Sequence, residues 1–256
     1  MPHLIRSTLW RSLGLFLVLA LNLFAALLYF PTFAENIGKY SKLMPIPAIK
    51  ELVGQLEQGG LWAYIAGQHY FKGCNTLGLA AATLFACGAV AGESQRGTFE
   101  IWLARPVTRT RLLLERFFAG AFSIAAPVFA SSLCVPAMLA VKGIPIDFDP
   151  RLLVLASVHQ STLLLAVYAA TFFASTIGNQ PTRIAFFVLV VGTLEFSSYM
   201  VETLTDYSLF RLTDVERYIE LQKSMQLDLR IVLPLLAITA LFAGLSTWRF
   251  RTRLPA

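Results

Sequence analysis

Charge is what this chain has least of. Only 14% of its 256 residues are Asp, Glu, Lys or Arg, whereas a soluble domain carries about 25%. That deficit argues against a water-facing surface over most of its length. Cysteine is scarce as well. Cys74, Cys87 and Cys134 form no C-x-x-C pair, and Cys87 and Cys134 sit inside apolar runs. Such spacing argues against a disulfide framework or a zinc site, and the three read as small apolar residues. Histidine is limited to His3, His69 and His159, too few and too scattered for a histidine-rich metal site. No Ser/His/Asp, H-E-x-x-H or paired-carboxylate arrangement stands out, so neither catalytic nor metal-binding residues are expected. Long basic runs with adjoining aromatic platforms are missing too, which leaves nucleic-acid binding without support.

What the chain does have is apolar length. Hydrophobic residues make up 56% of it, gathered in runs long enough to cross a bilayer. Six crossings are expected, over about 13–30, 74–91, 112–141, 152–177, 184–200 and 231–248. The fold class is therefore an all-α, polytopic membrane protein in a single domain spanning 1–256. The first run exceeds the about 7–15 apolar residues of a signal peptide and ends in Tyr29-Phe30-Pro31, an interfacial signature, so it reads as a retained helix. The second is rich in Ala and Gly, which lets backbones approach closely and predicts a packed helix. Pro127 and Pro136 predict kinks in the third.

Two long polar connections lie between these runs, at 31–72 and 201–229. In the first, Ile49, Leu52, Val53 and Leu56 recur on one helical face opposite Lys50, Glu51, Gln55 and Glu57. Gly59-Gly60 is expected to end that helix. Leu61 to Phe71, with Trp62, Tyr64 and Tyr70, reads as an interfacial aromatic piece. In the second, Thr213 with Glu216 three residues on fits a capping box that opens another amphipathic helix. Its apolar stripe is Val215, Tyr218 and Ile219.

The formal net charge of +6 follows from topology. With a cytoplasmic N-terminus, the arginines of 1–11, 92–116, 183 and 249–253 all fall inside, against only Glu93, Glu100 and Glu115. The two long polar loops then face outward with balanced charge. The positive-inside rule favours this orientation, with both ends cytoplasmic.

The densest polar segment is 92–111, between the second and third crossings. Gly97 can break the emerging helix. Thr98 can cap a short helix to about Ala104, with Glu100 near its positive end. Pro106 stops that helix and Thr108 caps the next. Phe99, Ile101, Trp102 and Leu103 would stand among charged flanks, as a protein-binding set does.

At these residues the sequence resembles the ABC type-2 permease family, the membrane subunits of ATP-binding-cassette exporters. The resemblance rests on Gly92-Glu93-Ser94-Gln95-Arg96-Gly97-Thr98-Phe99-Glu100, then Arg105-Pro106-Val107-Thr108-Arg109, then Arg111-Leu112-Leu113-Leu114. Gln95 departs from it, since the family often has Glu there. The resemblance implies a cytoplasmic coupling helix that docks on a separate ATPase. It assigns coupling roles to Glu93, Arg96, Gly97, Thr98, Phe99, Glu100, Trp102, Pro106 and Arg109. No G-x-x-x-x-G-K-[ST] loop is present, so ATP and Mg are expected on that partner and no cofactor on this chain. A second permease subunit, identical or different, is implied too, along with lipid and a bacterial plasma membrane.

Three polar residues in crossings remain. Glu195 in the fifth and His159 with Gln160 in the fourth either line a substrate path or link helices. An intramembrane enzyme using Glu195 or His159, or an assembly scaffold without transport, are the alternatives to a permease.

Overall fold

A computed structural model of the chain describes residues 2–43, 47–98, 107–201 and 203–252. Among the described residues there are helices and turns and no strand. In chain order they are α1 (Pro2–Leu43), α2 (Pro47–Ile65), a π-helix (Ala66–Gly78), α3 (Leu79–Ala89), α4 (Ala91–Gln95) and α5 (Arg109–Leu133). Then come α6 (Val135–Lys142), α7 (Arg151–Ile177), α8 (Pro181–Tyr199), two short 3-10 helices (Thr205–Tyr207 and Leu209–Thr213), α9 (Val215–Ser224) and α10 (Leu229–Thr252). Among the described residues five stretches are long and apolar enough to cross a membrane: Ile5–Asn36, Arg109–Lys142, Arg151–Ile177, Pro181–Tyr199 and Leu229–Arg251. The run expected over 74–91 is helical but divided between the π-helix and α3.

α7 is the centre of the bundle. Its most apolar window is 72% buried, against 11% for that of α8. It packs on α3, α5 and α10, while α1 covers the other side of α5. Tyr168 in α7 donates to the Phe117 carbonyl at 3.1 Å, and a side chain at Gly120 would overlap its hydroxyl. Small residues set the α3 contact as the composition predicts: Ala82 and Ala86 are fully buried, and a Cβ at Gly78 would lie 2.9 Å from Leu164. By contrast α8 leaves Phe186, Phe187 and Leu194 at 70%, 68% and 61% exposure, an apolar face that suits lipid.

Three local expectations differ from the structure. Helix α1 does not stop at Phe30 but runs through Pro31 to Leu43. A proline removes one ladder hydrogen bond, and packing on α2 compensates: Tyr64 donates to the Ala26 carbonyl at 2.9 Å, with Phe30 and Phe33 rings 5.0 and 4.8 Å from its own. The helix end expected at Gly59-Gly60 is present: Gly60 turns the chain with φ 59° and ψ −143°, a conformation only glycine adopts freely, and a second helical stretch follows to Ile65.

The stretch expected at the interface, 61–71, is core instead. Trp62 is fully buried and donates to the Tyr218 carbonyl at 2.8 Å. Tyr70 stacks on Tyr218 at 5.0 Å. Aromatic residues suit an interface and a core alike, and here Gly67 and Gly73 let the π-helix sit close to Val215 and to Asn22 of α1.

Finally, α9 is capped by Asp214, whose carboxylate accepts from the Val215 amide at 2.6 Å. Thr213 is diverted to buried Asn75 at 2.9 Å. Of the expected stripe, Val215 and Tyr218 are buried and Ile219 is half-buried, while Leu221 joins the buried face.

Candidate functional site

The segment between α3 and α5 is built around Glu93. Helix α4 ends in a Schellman turn: the Gly97 amide donates to the Ser94 carbonyl at 3.1 Å and the Thr98 amide to the Glu93 carbonyl at 3.2 Å. Gly97 takes φ 69° to make it, where a Cβ costs about 1–2 kcal/mol. The helix break expected at Gly97 is therefore present.

Thr98 does something the sequence does not suggest. Its hydroxyl donates to the Glu93 carboxylate. The same carboxylate faces Arg96 at 3.9 Å and Arg116 of α5 at 3.8 Å. Glu93 and Arg116 side chains are each 18% exposed, whereas Arg96 is 70% exposed. The Arg116 pair is thus the stronger of the two, because exposed pairs contribute little. Phe99, Glu100, Trp102 and Pro106 lie outside the described residues.

Past that gap, Thr108 caps α5 as expected, its hydroxyl accepting from the Arg111 amide at 3.3 Å. Arg109 is the first residue of α5. Arg111 pairs with Glu115 at 3.0 Å. Arg251 from α10 donates to Thr110 at 3.1 Å, and Ser123 of α5 donates to the Thr8 carbonyl of α1 at 3.3 Å. The arginine-bearing ends of α5 and α10 therefore meet at one end of the bundle. Arg116 and Arg251 are partners that sequence reasoning missed. Both sit in long apolar helices, and only tertiary packing brings them to this segment.

His159 and Gln160 lie together in α7, away from Glu195. Gln160 is fully buried, donates to Asn75 at 2.8 Å and accepts from the Tyr218 hydroxyl at 2.6 Å. Burial pushes the Tyr218 phenol well above its ordinary pKa, which keeps it a donor. His159 bonds the Leu212 carbonyl through Nε2 at 2.8 Å. It lines a cleft of about 300 Å³ with Arg217, Glu220 and Asp228. Glu195 accepts from the Leu209 amide at 3.0 Å, and Ser208 donates to its carbonyl at 2.9 Å. It lines a separate, apolar cavity of about 80 Å³. The Gln160 bond to Tyr218 ties α9 to α7, and the Glu195 bonds tie α8 to the connection that leads to α9.

An all-α, multi-pass membrane protein with an Arg-framed break between α3 and α5 is the class this structure defines. The family model described as ABC-2 family transporter protein matches residues 5–253. The chain belongs to that family and is a membrane permease component of an ABC transporter. Among curated proteins none matches the chain.

Proposed function

We propose that this chain is the permease subunit of an ABC exporter in a bacterial plasma membrane. A separate ATPase subunit, carrying ATP and Mg, docks on the 92–111 segment. Glu93, Arg96, Gly97 and Thr98 shape the segment. Phe99, Glu100, Trp102, Pro106 and Arg109 present its surface. The supporting observation is that both described ends of the segment are fixed: the Gly97 turn is locked onto Glu93 and Arg116, and α5 restarts at a Thr108 cap. A surface held at both ends delivers a push to the helices it joins, and an untethered loop would not.

In this reading both termini are cytoplasmic. The meeting of the arginine-bearing ends of α5 and α10 supports that placement. The complete transporter contains two permease subunits, identical or different. ATP binding alternates the bundle between two states and opens a path across it. His159, Gln160 and Glu195 are candidates for that path.

Co-expression with an ATPase encoded beside this chain tests the docking. The full chain is expected to co-purify with it, and a chain lacking 93–105 is expected to lose it. Retention by the deleted chain would overturn the assignment.

A further inference from the structure

The joint between α3 and α4 has an unusual construction. Val90 breaks the helix with φ −123° and ψ −58°. In an unbroken α-helix the Ala91 amide would donate to the Cys87 carbonyl, four residues back. Here the Ser175 hydroxyl of α7 stands between them. It accepts from the Ala91 amide at 2.9 Å and donates to the Cys87 carbonyl at 3.2 Å. A side chain inserted into the i→i−4 ladder is a recognised cause of a sharp kink. Between Cys87 and Ala91, the Ala89 carbonyl accepts from Arg116 at 3.4 Å, the same guanidinium that faces Glu93. Ala91 and Ser175 are both fully buried, so water is not at hand to satisfy these groups.

Two arrangements of this joint keep every one of those backbone groups bonded. In the bent form, Ser175 bridges Ala91 and Cys87. In a straight form, Ala91 bonds Cys87 directly and the Ser175 hydroxyl turns to its own helix at the Thr171 carbonyl, as serines within helices do. Neither form orphans a buried polar group, so exchange between them avoids that cost.

We propose that Ser175 is a removable wedge that sets the angle between α3 and the α4 turn, and that its withdrawal or insertion links movement of α7 to movement of the docking segment. Ser175 is a positioning residue in this scheme, and Arg116 carries the same link to α5. The wedge itself rests on geometry. Its part in coupling rests on the docking reading above.

The test uses the full chain in lipid nanodiscs, with spin labels at Gln95→Cys and Val141→Cys on a Cys134→Ala background. Val141 is 71% exposed at the far end of the α5–α6 rod. Ser175→Ala removes the wedge and is expected to shift the label distance by roughly 3–5 Å, given a lever of about 7 Å from Val90 to Gln95 at 1.5 Å per residue. Ser175→Thr keeps the hydroxyl and is expected to hold the wild-type distance. Equal distances in wild type and Ser175→Ala overturn the wedge. With the ATPase bound, wild type is expected to change distance when ATP is trapped, and Ser175→Ala to give one distance in both states. A nucleotide-dependent change that survives in Ser175→Ala overturns the coupling role and leaves docking intact. Failure of the wild-type chain to hold the ATPase is a failure of the docking reading instead, and the nucleotide-free arm still decides the wedge.

Discussion

Glu93→Ala is expected to loosen the α4 turn and weaken ATPase binding by roughly thirtyfold. The carboxylate is shared by the Thr98 hydroxyl and by Arg96 and Arg116. Removing it strips the turn of its tie to α5 and leaves Arg116, 18% exposed, without that counter-charge. Breaking a buried pair by deleting one partner costs about 3–5 kcal/mol. This pair is partly hydrated and 3.8 Å apart, so about 2 kcal/mol is the appropriate figure, and every 1.4 kcal/mol is tenfold in affinity. Thr98→Val removes only the hydroxyl and is expected to do less. Exchanging the charges, Glu93→Arg with Arg116→Glu, is expected to recover part of the loss. Titration of the ATPase onto nanodisc-held variants measures all three. Wild-type affinity in Glu93→Ala would show that the turn is not held in this way.

Gln160→Leu is expected to destabilise the bundle by about 2 kcal/mol. The amide bridges two buried groups from different parts of the chain, Asn75 in the π-helix and Tyr218 in α9. An orphaned buried group costs about 1–3 kcal/mol, and hydrogen bonds between membrane helices average lower, about 0.6 kcal/mol. Asn75 keeps Thr213 as a partner, so one orphan, the Tyr218 hydroxyl, and one lost Asn75 bond give the stated figure. Tyr218→Phe removes that orphan. In the Gln160→Leu background it is expected to cost about 1 kcal/mol less than it does alone, a coupling that a double-mutant cycle in mixed micelles reads directly. Strict additivity would mean that the Tyr218–Gln160 bond contributes nothing. The same cycle bears on the substrate path, because a residue serving only as a structural link affects stability more than transport.

The apolar helices were legible because length and flanking prolines bound them. The run 152–177 became Arg151–Ile177, and 184–200 became Pro181–Tyr199. Failures came where one residue type suits two roles. Pro31 marks an end in many helices, yet here α2 packs against the turns around it and the helix continues. Trp62 and Tyr70 suit an interface, yet glycines around them open a core position. Thr213 and Asp214 both make good caps. Asn75, 138 residues away, claimed Thr213.

At the candidate site, the Gly97 turn and the Thr108 cap were readable from local turn chemistry, whereas the Thr98 bond to Glu93 was not. Arg116 and Ser175 were not, since each acts on α3 and α4 from a helix that neighbours them only after folding.

The central claim is that the ATPase docks on the 92–111 segment. A photo-crosslinking residue placed at Phe99 or Trp102 in the ATPase-bound transporter tests it most directly, with the same probe at Tyr207, 85% exposed, as the opposing position. The prediction is an ATPase adduct from 99 and 102 and none from 207. Adducts from 207, or a complex active in ATP hydrolysis that yields none from 99 and 102, would contradict it.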